Sequence, residues 1–222
     1  NPQSGAVMHG WIPAGAVLFT YHTRYYLRRR AWRYFRRMGH QRAAEFVPAL
    51  GLALALYRDA DLARGENILD SWALLNALFR HHPVLEFTPS EVKLAEGRSL
   101  GELAPAPKFG KLWAAAPALP VLLALVATAQ ARLVRVWAMR LLREQHQERL
   151  SGMNPADLLR LLDHDDPEVQ KFGAELLSAA HDLDKLPVDA WLRLLATRNL
   201  EALEVLVTAL RKHVRPDRFS LE

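Results

Sequence analysis

Leu158 to Leu177 reads L-L-R-L-L-D-H-D-D-P-E-V-Q-K-F-G-A-E-L-L, and it spells two helices around one tight turn. The opening L-L-x-L-L places leucines on one helical face. Asp166 can accept hydrogen bonds from the free N–H groups of the next helix, and Pro167 suits its first position because the missing N–H is not needed there. Glu168 then sits against the positive end of the helix dipole.

The same plan recurs on both sides. A slide of 33 residues puts Leu159-Arg160-Leu161-Leu162 on Leu192-Arg193-Leu194-Leu195, Asp166 on Asn199, Glu168 on Glu201 and Leu177 on Leu210. A backward slide of 36 puts Leu158-Leu159 on Leu122-Leu123, Val169 on Leu133 and Ala174 on Ala138. A helix pair of this size cannot hide its apolar faces alone, so neighbours must stack and share a core. Leu125, Leu161 and Leu194 are then equivalent inward positions in consecutive layers. Trp137, standing where the best copy has Gly173, and Trp191, standing where it has Leu158, are expected in the core.

This pattern resembles HEAT and HEAT-like repeats of the shorter bacterial type seen in phycobilisome-lyase-like proteins. The resemblance covers roughly 120–213 and departs in detail: the flanking copies carry Gln130-Ala131 and Asn199-Leu200 in place of the Asp-Pro turn, and Gln170 stands where a basic residue often follows the turn valine. Tetratricopeptide and ankyrin signatures are absent. The resemblance implies an all-α, right-handed α-solenoid of stacked antiparallel helix pairs.

Helical spacing also fills the first half, over Tyr25 to Met38, Phe46 to Tyr57 and Ile68 to Phe79, with Gly39, Gly65 and His81-His82-Pro83 as separators. Tyr25 to Gly39 looks like a second HEAT helix ending in glycine. Between 83 and 111, Pro89, Pro105, Pro107, Gly97, Gly101 and Gly110 interrupt any long helix. Val92-Lys93-Leu94 and Arg98-Ser99-Leu100 around Glu96-Gly97 suggest a short hairpin there. The expected organisation is an irregular segment at 1–22, a helical part with a basic helix at 23–82, an insertion at 83–111 and about three helix pairs at 112–222.

The 222 residues are half apolar and contain no cysteine, which excludes a disulfide-stapled secreted fold, zinc ribbons, iron–sulfur centres and thiol nucleophiles. A cytoplasmic chain is expected. It starts at Asn1 without a signal-peptide pattern and is expected to be a segment of a longer protein. The uncharged run from Leu112 to Ala131 reaches membrane-spanning length, but Pro117, Pro120, Gln130 and the repeat alignment argue against a span.

Charge is uneven. Arg24 to Arg42 holds eight arginines and no acid, and removing those eight from the totals leaves 21 basic residues against 24 acidic. A local cationic patch, not a basic protein, follows. On a helical wheel centred on Leu27, the apolar face holds Tyr34, Leu27, Met38, Ala31 and Phe35. The opposite arc holds Arg28, Trp32, Tyr25, Arg36, Arg29, Arg33, Tyr26, Arg37 and Arg30, of which Tyr25, Arg28, Arg29, Trp32, Arg33, Arg36 and Arg37 form a candidate surface for a partner or for phosphate. Guanidinium groups bind phosphate bidentately, and interleaved aromatics can stack on bases or on the arginines. The competing explanation is internal neutralisation by Glu45, Asp59, Asp61 or Glu66.

No catalytic or cofactor site emerges. His81-His82 are adjacent and face apart, and Asp163, His164, Asp165 and Asp166 share one turn in which capping explains Asp166, so no metal is expected. Asp182 with Asp184 and Glu201 with Glu204 make no convincing acid–base pair. No G-x-S-x-G elbow, phosphate-binding loop or G-x-G-x-x-G fingerprint occurs. The sequence therefore points to a non-enzymatic repeat scaffold that binds another protein or the rest of its own chain, without a membrane. The alternative is a nucleic-acid-binding HEAT-like protein resembling DNA alkylation-repair glycosylases and using the arginine-rich helix 24–42. A chromophore-handling, lyase-like role rests on repeat type alone.

Overall fold

A computed structural model of the chain describes residues 20–89, 91–153, 155–180, 183 and 186–214. Over these residues the fold is all-α apart from one two-stranded hairpin. The expected irregular segment at 1–22 lies almost wholly outside the described residues, as do Asn154, Asp182 and Asp184.

Helix α1, Tyr21–Gln41, starts where the Thr20 hydroxyl accepts the Thr23 N–H at 3.1 Å. It does not stop at Gly39. That glycine lies inside the helix and against Phe109, where a Cβ would come within 2.5 Å of Cε2. Gly39 is therefore a close-packing residue, and the helix ends two residues later, at Gln41.

The buried face of α1 also differs from the wheel centred on Leu27. Leu27 and Tyr34 are 44% and 53% exposed, whereas Trp32 and Met38 are buried and Tyr25, Arg28, Arg29 and Phe35 are half-buried. This stripe also follows i, i+3, i+4, i+7 spacing. It wins because Trp32 buries more apolar area than Leu27 would, while the half-buried arginines can lay aliphatic stems on the core and keep their heads in water.

Helix α2 covers Ala43–Ala55, and a short 3-10 turn at Asp59–Leu62 leads to α3, Gly65–Asp70, and α4, Trp72–Leu78. The single helix expected over 68–79 is thus broken at Ser71, whose hydroxyl donates to the Asn67 carbonyl. Helices α2 and α4 both pack on α1.

The insertion contains a hairpin, but its strands are β1, Leu85–Phe87, and β2, Val92–Leu94, paired antiparallel as Leu85↔Leu94, Glu86↔Lys93 and Phe87↔Val92. Thr88 closes the turn by accepting the Glu91 N–H at 3.0 Å. Buried Leu85 and Val92 hold β1 and β2 to the core. Arg98-Ser99-Leu100 is not a strand: Ser99 caps a 3-10 turn at Leu100–Glu102. Gly97 has the positive φ of 71° that the expected turn required, but the chain there leaves the hairpin instead of closing it.

The second half contains α5, Gly110–Ala114; α6, Ala118–Thr128; α7, Arg132–Gln145; α8, Gln147–Ser151; α9, Pro155–Leu162; α10, Pro167–Ala179; α11, Val188–Leu195; and α12, Leu200–His213. The aligned copies correspond to α6/α7, α9/α10 and α11/α12, each of which packs as a pair; α6 also meets α9, and α10 meets α12. Asp166 caps α10 by accepting the Glu168 N–H, and Asn199 caps α12 by accepting those of Glu201 and Ala202.

Leu125, Leu161 and Leu194 are all buried, as are Trp137 and Trp191. One apolar cluster runs from Trp32 to Val214 and joins the halves. The seam is aromatic: Phe46 meets Phe109 and Trp113 edge-on, and Trp113 meets Trp137 at 5.0 Å. Trp137 Nε1 donates to the Leu78 carbonyl at 3.2 Å, tying α7 to the end of α4. Among the described residues no helix is long and apolar enough to cross a membrane.

A candidate anion-binding cleft

Arg29, Arg33, Arg36 and His40 recur every three or four residues and form one stripe along α1. They make one wall of a cleft of about 600 Å³. The other wall comes from a part of the chain with no arginine run: Trp72 and Asn76 on α4, Arg80 just beyond it, Phe87 to Pro89 at the hairpin turn, and Lys108 near the end of the insertion. Trp32 lies at the base, 4% exposed.

Among the described residues no carboxylate lines the cleft. Among the described residues, no Asp or Glu comes within ion-pair distance of Arg29, Arg33, Arg36, Arg80 or Lys108. The acids considered for neutralisation are elsewhere: Glu45 pairs with Arg42, the Asp59 carboxylate accepts the Arg132 N–H, and Asp61 accepts the Arg58 N–H. Five permanent positive charges thus line one cleft without a counterion among the described residues. By contrast, Arg132 and Arg143, beside α7 and α10, pair with Glu168 and Glu175.

Aromatic rings aim these cations. The Arg29 guanidinium lies 5.2 Å from the Tyr25 ring centroid and donates to the Tyr25 hydroxyl at 3.1 Å. Arg80 lies 4.6 Å over the Phe87 ring, so the hairpin turn holds it in place. A guanidinium stacked in this way keeps its N–H edge free to donate. Trp72 Nε1 is buried without a hydrogen-bond partner. His40 stands edge-on to Phe109, whose ring also fills the space opposite Gly39.

Of the residues singled out from sequence, Arg29, Trp32, Arg33 and Arg36 come together here, with Tyr25 behind Arg29. Arg28 turns away to within 3.8 Å of Asp70, and Arg37 donates to Gln41 on the outer side. Trp32 is a core residue and not an exposed stacking surface. Arg80, Lys108, Asn76 and the hairpin turn escaped the sequence reading because each is isolated in the chain. The only hint was that the insertion begins and ends beside a cation.

Elsewhere, Asp166 and His164 serve the turn itself, with His164 Nδ1 accepting the Asp166 N–H at 2.9 Å. No family model, curated protein or solved structure matches the chain.

Proposed function

We propose that this chain is a HEAT-like, right-handed α-solenoid segment that works by binding and not by catalysis, and that it engages an acidic partner through the cleft on α1. Support for the solenoid comes from contacts between equivalent turns of successive copies. Arg135 reaches from the Gln130 carbonyl to Asp166, and Asn199 Nδ2 donates to the Pro167 carbonyl. A scaffold that presents a helical surface to another protein, or to other parts of its own parent chain, is the general reading, and a cysteine-free chain suits a cytoplasmic setting.

The observation that carries the binding role is the convergence in a concave site of five cations without an ion pair among the described residues, because like charges held together favour an anionic ligand. The nucleic-acid alternative gains from the same observation, as binding through the cleft, where no carboxylate among the described residues stands ready for base excision.

Affinity for an immobilised polyanion tests this reading. Retention should fall steeply with salt and drop on Arg33→Ala with Arg36→Ala. Equal retention of that double variant would remove the cleft from the proposal.

A further inference from the structure

The acid-free cleft narrows the ligand class beyond an acidic partner, and this step rests on the binding role proposed above. We infer that the cleft takes the phosphate backbone of a single-stranded nucleic acid, without reading its bases.

Three observations carry the inference. From Arg29 to Arg36 the cationic stripe is about 10 Å long at the rise of an α-helix, longer than one isolated anion and suited to a repeating one. The cations come from two parts of the chain, Arg29, Arg33 and Arg36 from α1 and Arg80 and Lys108 from beyond α4, and line one cleft. A thin, flexible strand can enter a space of about 600 Å³, whereas a rigid duplex can touch only its rim.

Guanidinium forks match phosphate oxygens bidentately, and three of the wall cations come from one helix face. Of the aromatic rings lining the cleft, Trp32 is buried, Phe87 lies beneath Arg80 and Trp72 is half-buried. Backbone contact with little open aromatic surface gives binding that tolerates any sequence.

Fluorescence anisotropy with a labelled oligodeoxythymidylate, a labelled oligodeoxyadenylate, a DNA duplex and poly-glutamate decides the matter. Expected is a salt slope in log K of about −3.5 for the single strands, from five phosphate contacts at about 0.7 each. Arg33→Ala and Lys108→Ala should each reduce the slope by about 0.7. Together they should weaken binding at least tenfold, while Lys212→Ala on distant α12 leaves it unchanged. The two homopolymers should bind within a few-fold of each other.

Equal or tighter duplex binding with the same dependence on Arg33 and Lys108 would overturn the single-strand assignment. A strong preference for one homopolymer would overturn readout by backbone alone. Binding of poly-glutamate but not of nucleic acid would overturn this inference and leave the acidic-partner role standing. Failure of all four probes would take both down. Helicity by circular dichroism, unchanged in each variant, ties any loss to the cleft.

Discussion

Arg135 grips one carboxylate oxygen of Asp166 from two sides, with Nη2 at 2.6 Å and Nε at 3.1 Å from Oδ2. The other oxygen, Oδ1, accepts the Glu168 N–H at 2.8 Å. The remaining guanidinium nitrogen donates to the carbonyls of Ala129 and Gln130, so one side chain spans the equivalent turns of two successive copies. With side chains only 11% and 16% exposed, this pair is far better shielded than Arg132–Glu168 or Lys171–Glu201, whose exposed geometry contributes little.

Asp166→Asn should destabilise the protein at neutral pH, and the difference should shrink on acidification. Burial pushes the Asp166 carboxyl up, but the Glu168 N–H and the hydrogen bonds and charge of Arg135 outweigh it and hold it below the ordinary carboxylate value. A depressed folded value adds stability that is complete above the unfolded value of about 3.9 and is lost as pH falls through the folded one. Urea midpoints of wild type and variant at about pH 7 and about pH 3 would check this. A gap that persists at the acid end would assign the effect to packing.

Gly173→Ala should destabilise by about 1–3 kcal/mol, despite the better helix propensity of alanine. A Cβ at Gly173 would lie 2.8 Å from Leu161 Cβ and 3.3 Å from the Leu161 carbonyl carbon, so α10 could not approach α9 as it does. The aligned position on α7 is Trp137, which shows that the glycine answers to this helix pair and not to the repeat. Denaturant unfolding measures it, and an unchanged midpoint would refute the close-contact account.

Trp32 and Arg33 are neighbours in the chain with opposite roles. Trp32→Ala should cost about 3–5 kcal/mol by emptying a core site. Arg33→Ala should stay within about 0.5 kcal/mol, because its exposed side chain forms no ion pair among the described residues. Parallel thermal melts and polyanion-binding titrations should separate the two: stability falls with the first, affinity with the second.

His146→Phe should destabilise by about 1–3 kcal/mol while keeping a ring in place. The imidazole is 1% exposed and links α5 to the α7–α8 junction, with Nε2 2.7 Å from the Trp113 carbonyl. A carbonyl only accepts, so Nε2 carries the proton and Nδ1 accepts from Arg149 Nη1 at 3.2 Å. Calorimetric melting of the Phe and Gln variants would test this, with Gln expected to recover part of the loss.

The repeat in the C-terminal half was legible because local chemistry and core position coincide there. Asp166, Pro167 and Asn199 act on their own helix ends, and the leucines follow a period that any stacked pair must bury. The face of α1 was not legible. Its two candidate stripes have similar spacing, and the choice fell to Phe109, seventy residues beyond Gly39, which fits only against a residue without a side chain. The hairpin register was misread for a related reason: a positive-φ glycine marks a turn without saying which strands it joins.

Sequence alone thus determined the cap of α10, the buried leucines of the C-terminal helix pairs and the concentration of positive charge between Arg24 and Arg42, since each follows from neighbours a few bonds apart. Tertiary structure decided which arginines converge, because Arg80 and Lys108 reach the cleft only when α4 and the hairpin fold back on α1. It also decided that these cations form no ion pair among the described residues, since whether Asp59 or Asp61 comes near is a matter of distance in space.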